Sequence, residues 1–195
     1  MDFNQHRIQL QVAALADAIG ASDVSIATAE SCTGGMLSSA IVANPQASGA
    51  LDRAFVVYSI DAKCELLELD RALVEACAGV SEEVARAMAA HALARSRADI
   101  AVSITGFAGP READEEVGLV HLALARRGAS GEVRQLAHRH CSFGDIGRDA
   151  VNRRAVATAL EMLTGAIEMD RANAPPREPR ATPAQRPGSG AEVPQ

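Results

Sequence analysis

The chain has 195 residues, of which 48% are hydrophobic and 23% charged, the profile of one globular domain with a well-buried core. No stretch approaches the roughly 18 consecutive apolar residues of a membrane span, and Asp2, His6 and Arg7 interrupt any signal-like apolar run at the start, so a cytoplasmic protein is expected. A net charge of −6, from 19 basic and 25 acidic residues, argues against non-specific nucleic-acid binding, which needs a basic surface.

In chain order, apolar positions Ile8, Val12, Leu15 and Ile19 predict an amphipathic helix over 4–19, followed by a short buried strand over 24–27. Residues 28–35 read as a loop and 36–43 as a helix stopped by Asn44-Pro45. A second strand is predicted over 54–59, then helical stretches over 61–69 and 71–78. Ser81, with Glu82 and Glu83 behind it, is a good helix start for 84–96, because a hydroxyl caps and carboxylates suit the positive end of the helix. An almost wholly apolar strand over 99–105 runs into a loop over 106–116. Residues 117–125 and 132–140 predict a β-hairpin, and 146–169 a long closing helix.

Six of the eight prolines fall in 171–195, a stretch with little to bury, which is expected to be a disordered tail after a domain spanning 1–170. Strands separated by helices, with one late hairpin, predict a three-layer α/β/α sandwich on a mixed β-sheet. Sites in such folds collect where strands end and loops open.

Cysteines 32, 64, 77 and 141 lack metal-knuckle or disulfide spacing and are expected to be reduced and mostly buried. His138 and His140 alternate on one strand face, but without a third placed ligand no metal site is expected; His91 and His121 read as structural. The basic residues are more telling: eighteen are arginine and one, Lys63, is lysine. Arginine stays charged at any useful pH, whereas a desolvated lysine can serve as a general base.

Three segments carry candidate chemistry. The first, T-A-E-S-C-T-G-G over 28–35, lies between a strand and a helix, where glycines let backbone approach a ligand and helix-start amides favour an anion or oxyanion. Ser31 stands where a nucleophile would, with Cys32 as its rival. The second, Y-S-I-D-A-K over 58–63, brings Lys63 to the same sheet edge if the two strands are neighbours, with Tyr58 as helper in a metal-free Ser-Lys arrangement for acyl transfer or amide hydrolysis. The third, S-I-T-G-F-A-G-P over 103–110, can line the same cleft through Thr105, Gly106 and Gly109.

Together these segments resemble the CinA C-terminal domain family and its stand-alone relatives, the nicotinamide-nucleotide amidases. The family runs A-E-S-C-T-G-G, Y-[ST]-N-x-x-K, V-S-x-E-x-A and G-x-A-G-P appear here in order at 29–35, 58–63, 80–85 and 106–110. The resemblance implies cofactor-free hydrolysis of nicotinamide mononucleotide to nicotinate mononucleotide and ammonia, with Ser31 as nucleophile, Lys63 as base and Tyr58 as helper. It places the substrate contacts at Glu30, Thr33, Gly34, Gly35, Thr105, Gly106, Gly109 and Arg148. The expected partner is a small-molecule nucleotide, with neither nucleic acid nor membrane; a homo-oligomer such as a dimer stays open. Three departures fall near the site: Ile60 replaces the family asparagine, Arg111-Glu112 the usual Gly-Gly, and Asn152 an arginine four residues after Arg148. They leave a second reading open, a catalytically silent homologue that binds a nucleotide in a regulatory role.

Overall fold

A computed structural model describes residues 3–112 and 115–173. The elements run α1 (Phe3–Gly20), β1 (Ile26–Glu30), α2 (Met36–Val42), β2 (Leu51–Val56), α3 (Ile60–Leu67), α4 (Arg71–Glu75), α5 (Glu82–Ala94), β3 (Ile100–Gly106), β4 (Leu119–Arg127), β5 (Val133–Ser142) and α6 (Arg148–Asn173). The five strands form one mixed sheet in the order β2-β1-β3-β4-β5, parallel across the first three and antiparallel thereafter. Among the described residues no helix is long and apolar enough to cross a membrane.

The strand sequences explain the layers. Residues alternate between faces along a strand, and here the two faces differ in size. Ile26, Ile100, Val102, Ile104, Val120, Leu122 and Leu124 point toward α1, α2 and α6 in one buried cluster. Ala27, Ala29, Ala101, Ala123 and Ala125 point to the other side, against Ala85, Ala89 and Ala92 of α5. Alanine facing alanine lets α5 lie close to the sheet, and the hydroxyl of Ser103 donates to the Ala85 carbonyl at 2.6 Å across that contact. The bulky face gains the larger hydrophobic stabilisation, about 1.5–3 kcal/mol for each aliphatic side chain fully buried.

The predicted helices and hairpin are present, with shifted ends. Ser81 caps α5 by accepting from the Val84 amide at 3.2 Å, as the sequence predicts. The first strand begins later and reaches further than its apolar run: Thr28, Ala29 and Glu30 continue it because β2 and β3 pair with it on both sides. The second strand lies three residues upstream of the predicted 54–59, since Ser59 leaves the sheet to cap α3 by accepting from the Ala62 amide at 3.0 Å. The fourth helix stops at Glu75 rather than residue 78, where Ala78 and Gly79 take left-handed conformations. The last helix continues to Asn173, past the proposed domain end at 170; residues 174–195 of the expected tail lie outside the described residues.

The connection from β1 to β2 runs through α2 on one face of the sheet, and that from β2 to β3 through α3, α4 and α5 on the other. Helices that leave neighbouring strand ends in opposite directions open a crevice between them. That crevice lies beyond the carboxyl ends of β1 and β2, with the end of β3 beside it, and holds the candidate site.

Candidate active site

Ser31 is the first residue beyond β1, and the ladder continues on both sides of it: its amide donates to the Ile104 carbonyl at 2.9 Å and the Val57 amide donates to the Glu30 carbonyl at 2.8 Å. Lys63 projects from α3, which begins just after the neighbouring strand β2. The adjacency expected of the two strands therefore holds, and it brings the two side chains together. Lys63 Nζ lies 2.9 Å from Ser31 Oγ and 3.3 Å from the carbonyl oxygen of Tyr58. Both side chains are buried, Lys63 at 3% exposure and Ser31 at 6%.

Burial is the main influence on Lys63 and lowers its proton affinity below the ordinary lysine value, against the opposing pull of Cys32, Cys77 and Cys64. A lysine whose ammonium form is disfavoured in this way offers a neutral amine at lower pH than an exposed one. Cys32 behaves oppositely: burial pushes its thiol up to about 12, so at neutral pH it is not a thiolate and lacks the reactive form of a cysteine nucleophile. Its environment therefore counts against Cys32 as a nucleophile. All four cysteines are free, but only Cys32 is buried; Cys64, Cys77 and Cys141 are half-buried, fewer buried thiols than expected.

The pair opens onto a cavity of about 210 Å³, walled by Ser31, Cys32, Tyr58 and Lys63, by Ala78 and Val80 before α5, by the 106–110 loop, and by Glu112, Glu115 and Arg148. Gly106 and Gly109 thus stand on the wall, as expected. Gly106 is confined there by close approach, since a Cβ at that position would sit 2.6 Å from the Leu119 carbonyl oxygen. Tyr58 also reaches the wall, but in a different capacity from the one expected. Its backbone carbonyl meets Lys63, while its phenol is exposed and lies 3.5 Å from Arg148 Nη1.

The structure does not bring Glu30, Thr33, Gly34, Gly35 or Thr105 to that wall, and the polar groups of Glu30, Thr33 and Thr105 are engaged elsewhere. Glu30 is fully buried and accepts from the Thr33 hydroxyl at 2.8 Å and from the Leu37 and Ser38 amides at 2.9 Å each. The amide of Gly34 donates to the Ser31 carbonyl and that of Met36 to the Thr33 carbonyl, both at 3.0 Å. The anion at this helix start is therefore the protein's own carboxylate. The helix-start amides that the sequence offers to an anion are taken by Glu30, three residues before Thr33. Thr105 is likewise fully buried and donates to the Gly79 carbonyl at 2.6 Å.

Among the wall residues, Ala78 and Glu115 fall outside every motif read from the sequence, while Val80, Phe107, Ala108 and Pro110 lie within the quoted motifs but are not among the expected contacts. Ala78 is a non-glycine residue at φ 49, a conformation that leaves no mark in composition; Gly79 beside it was the available hint. Of the departures, Ile60 packs into the alanine-side core and is not part of the wall. Asn152 is buried in α6, its Oδ1 without a hydrogen-bond partner among the described residues. Glu112 alone of the four stands in the cavity.

His121 stacks between His138 and His140 with ring centroids 5.2 and 5.0 Å away, and its Nδ1 lies 2.9 Å from His138 Nε2. Burial holds His121 and His138 below the ordinary histidine value. Among the described residues no group of three or more His, Cys, Asp or Glu side chains could hold a metal ion. His91 is structural, with Nδ1 2.6 Å from the Leu67 carbonyl oxygen.

Fold and site define a mixed-sheet α/β domain with a buried serine–lysine pair at its strand-end crevice. The chain belongs to the CinA C-terminal domain family, whose model matches residues 9–167. It is 40% identical over 148 residues to the nicotinamide-nucleotide amidohydrolase PncC of Escherichia coli K12, covering 75% of this chain and 86% of that protein. It is 41% identical over 140 residues to a CinA-like protein of Chlorobium limicola, covering 71% of this chain but only 32% of that longer protein. In three dimensions it resembles the competence/damage-inducible protein CihA of Agrobacterium tumefaciens, with a TM-score of 0.74 and 38% identity over 83% of this chain and 96% of that one.

Proposed function

We propose that this protein is an amidase that hydrolyses nicotinamide mononucleotide to nicotinate mononucleotide and ammonia through Ser31 and Lys63. The supporting observation is the 2.9 Å contact between Lys63 Nζ and Ser31 Oγ, in a buried pair at the wall of a polar cavity; the amidohydrolase relative supplies the substrate class. In the proposed reaction the neutral Lys63 amine takes the Ser31 proton as Oγ bonds to the carboxamide carbon. The resulting ammonium returns that proton to the amide nitrogen as the C–N bond breaks, so that ammonia leaves and an acyl ester remains on Ser31. A water molecule, deprotonated by the same amine, then cleaves the ester to the carboxylic acid and restores the serine hydroxyl. Tyr58 assists by holding Lys63 through its backbone carbonyl, and Arg148, Gly106 and Gly109 form the part of the wall that meets the nucleotide.

The test is ammonia release from nicotinamide mononucleotide by the purified protein. Ser31→Ala should abolish it and Cys32→Ala should leave most of it; equal loss in both folded variants would overturn the assignment. A second reading, a silent nucleotide-binding homologue, draws support from one observation, the Glu112 carboxylate on the cavity wall where the family pattern has glycine. Nucleotide binding without ammonia release by the unaltered chain would establish that reading instead.

A further inference from the structure

A lysine can act as a base only where its ammonium form is kept from full solvation, and part of what covers Lys63 lies outside the segments that carry the motif chemistry. The link between α4 and α5 turns back over α3 through Ala78 at φ 49 and Gly79 at φ 77. The Gly79 amide donates to the Val74 carbonyl at 2.8 Å, and its backbone rests on the end of Lys63. A Cβ at Gly79 would stand 3.3 Å from Nζ, 3.4 Å from Cε and 3.6 Å from Cδ, which leaves no room for water between the loop and the amine. The loop is tied down from the sheet, where the fully buried Thr105 hydroxyl donates to the Gly79 carbonyl at 2.6 Å.

We propose that Thr105 and Gly79 form a clamp that shields the Lys63 amine from water, which makes Thr105 a positioning residue acting through the loop and not a substrate contact. The proposal deepens the reading of Ser31 and Lys63 as a catalytic pair and rests on it for its kinetic consequence only. The groups facing the amine are the Ser31 hydroxyl and Tyr58 carbonyl, the Cys32, Cys64 and Cys77 thiols, and, around the cavity, Glu112, Glu115 and Arg148. Loosening the clamp alters none of these charges. It admits water to Nζ, so the amine's proton affinity climbs toward the ordinary value of 10.5 and a larger share is protonated at neutral pH.

Because Lys63 is the only lysine in the chain, labelling lysine at Cε with carbon-13 gives a single side-chain resonance whose pH titration reads this amine without any assay of activity. Thr105→Val, which removes the hydroxyl at nearly constant volume, should move the midpoint up by about 1 unit or more, while Thr105→Ser keeps it near the wild-type position. In the pH profile of kcat/KM for ammonia release, the acid limb should move up in parallel. Should Thr105→Val fail to fold, Thr105→Ala removes the same hydroxyl in a smaller side chain and carries the same expectation. An unchanged midpoint in a folded hydroxyl-less variant, or an equal shift in Thr105→Ser, overturns the clamp. A shifted midpoint in a chain that releases no ammonia upholds the clamp and overturns the amidase reading.

Discussion

The two loops that leave the neighbouring strands β1 and β3 border the same crevice but are built in opposite ways. The loop after β1 is closed on itself: Glu30 accepts from Thr33, Leu37 and Ser38, and the Gly34 and Met36 amides find carbonyls within the same turn. The loop after β3 lines the cavity instead, with Phe107, Ala108, Gly109, Pro110, Glu112 and Glu115 on its wall. One loop fixes the backbone around Ser31, and the other supplies much of the cavity wall. The difference teaches that a glycine-rich turn at a strand end can be an internal scaffold, while the wall of the cavity is drawn from its neighbour.

The largest expected effect tests the fixed side. Lys63→Arg keeps a permanent positive charge next to Ser31 and cannot supply a neutral amine. It should still bind nucleotide and lose turnover of nicotinamide mononucleotide by the roughly 10²–10⁴ typical of removing a general base. Near-native turnover would make Lys63 a charge contact to substrate and end the Ser-Lys mechanism.

Next comes the scaffold itself. In Glu30→Ala the Thr33 hydroxyl and two buried amides lose their acceptor, each at a cost of about 1–3 kcal/mol. A loss of roughly 3 kcal/mol or more in denaturant unfolding is expected, far beyond an exposed-loop substitution. A change below about 0.5 kcal/mol, the range of ordinary surface positions, would show that the β1 loop does not depend on its carboxylate and would erase the contrast between the loops.

The legibility of the sequence follows the same division. The short apolar runs at β1 and β3, the helices between strands and the capping serine at 81 made the layered fold readable, because apolar runs, helical periodicity and caps are local properties. Ser31 and Lys63 were readable because both lie at the ends of neighbouring parallel strands and Lys63 is unique in composition. The roles of Glu30 and Thr105 were not readable. A buried carboxylate and a buried hydroxyl look like ligand contacts in one dimension; only their partners, seven and eight residues along the chain for Glu30 and 26 residues back for Thr105, distinguish a brace from a contact. Strand ends escaped for a related reason: Glu30 belongs to β1 through its neighbours on either side and not through its own propensity.

The smallest expected effect belongs to the open loop. Glu112 and Arg148 border the same cavity, both side chains are exposed, and they carry opposite charges. A nucleotide phosphate is attracted by one and repelled by the other. Interactions of exposed charges are modest, about 0–1 kcal/mol each, so neither residue should control the chemical step. Glu112→Gln should therefore lower KM for nicotinamide mononucleotide by about 2–5-fold at low salt, a factor within that energy range, and leave kcat and thermal stability unchanged. Arg148→Gln should raise KM by a similar factor. Both effects should shrink as ionic strength rises toward physiological values, where the screening length falls to about 8 Å. A higher KM in Glu112→Gln would instead place this carboxylate against the positively charged pyridinium ring and reverse the orientation of the nucleotide in the cavity. A change in kcat at constant KM would show that the β3 loop takes part in the transition state, and the division between a fixed catalytic loop and an open recognition loop would fail.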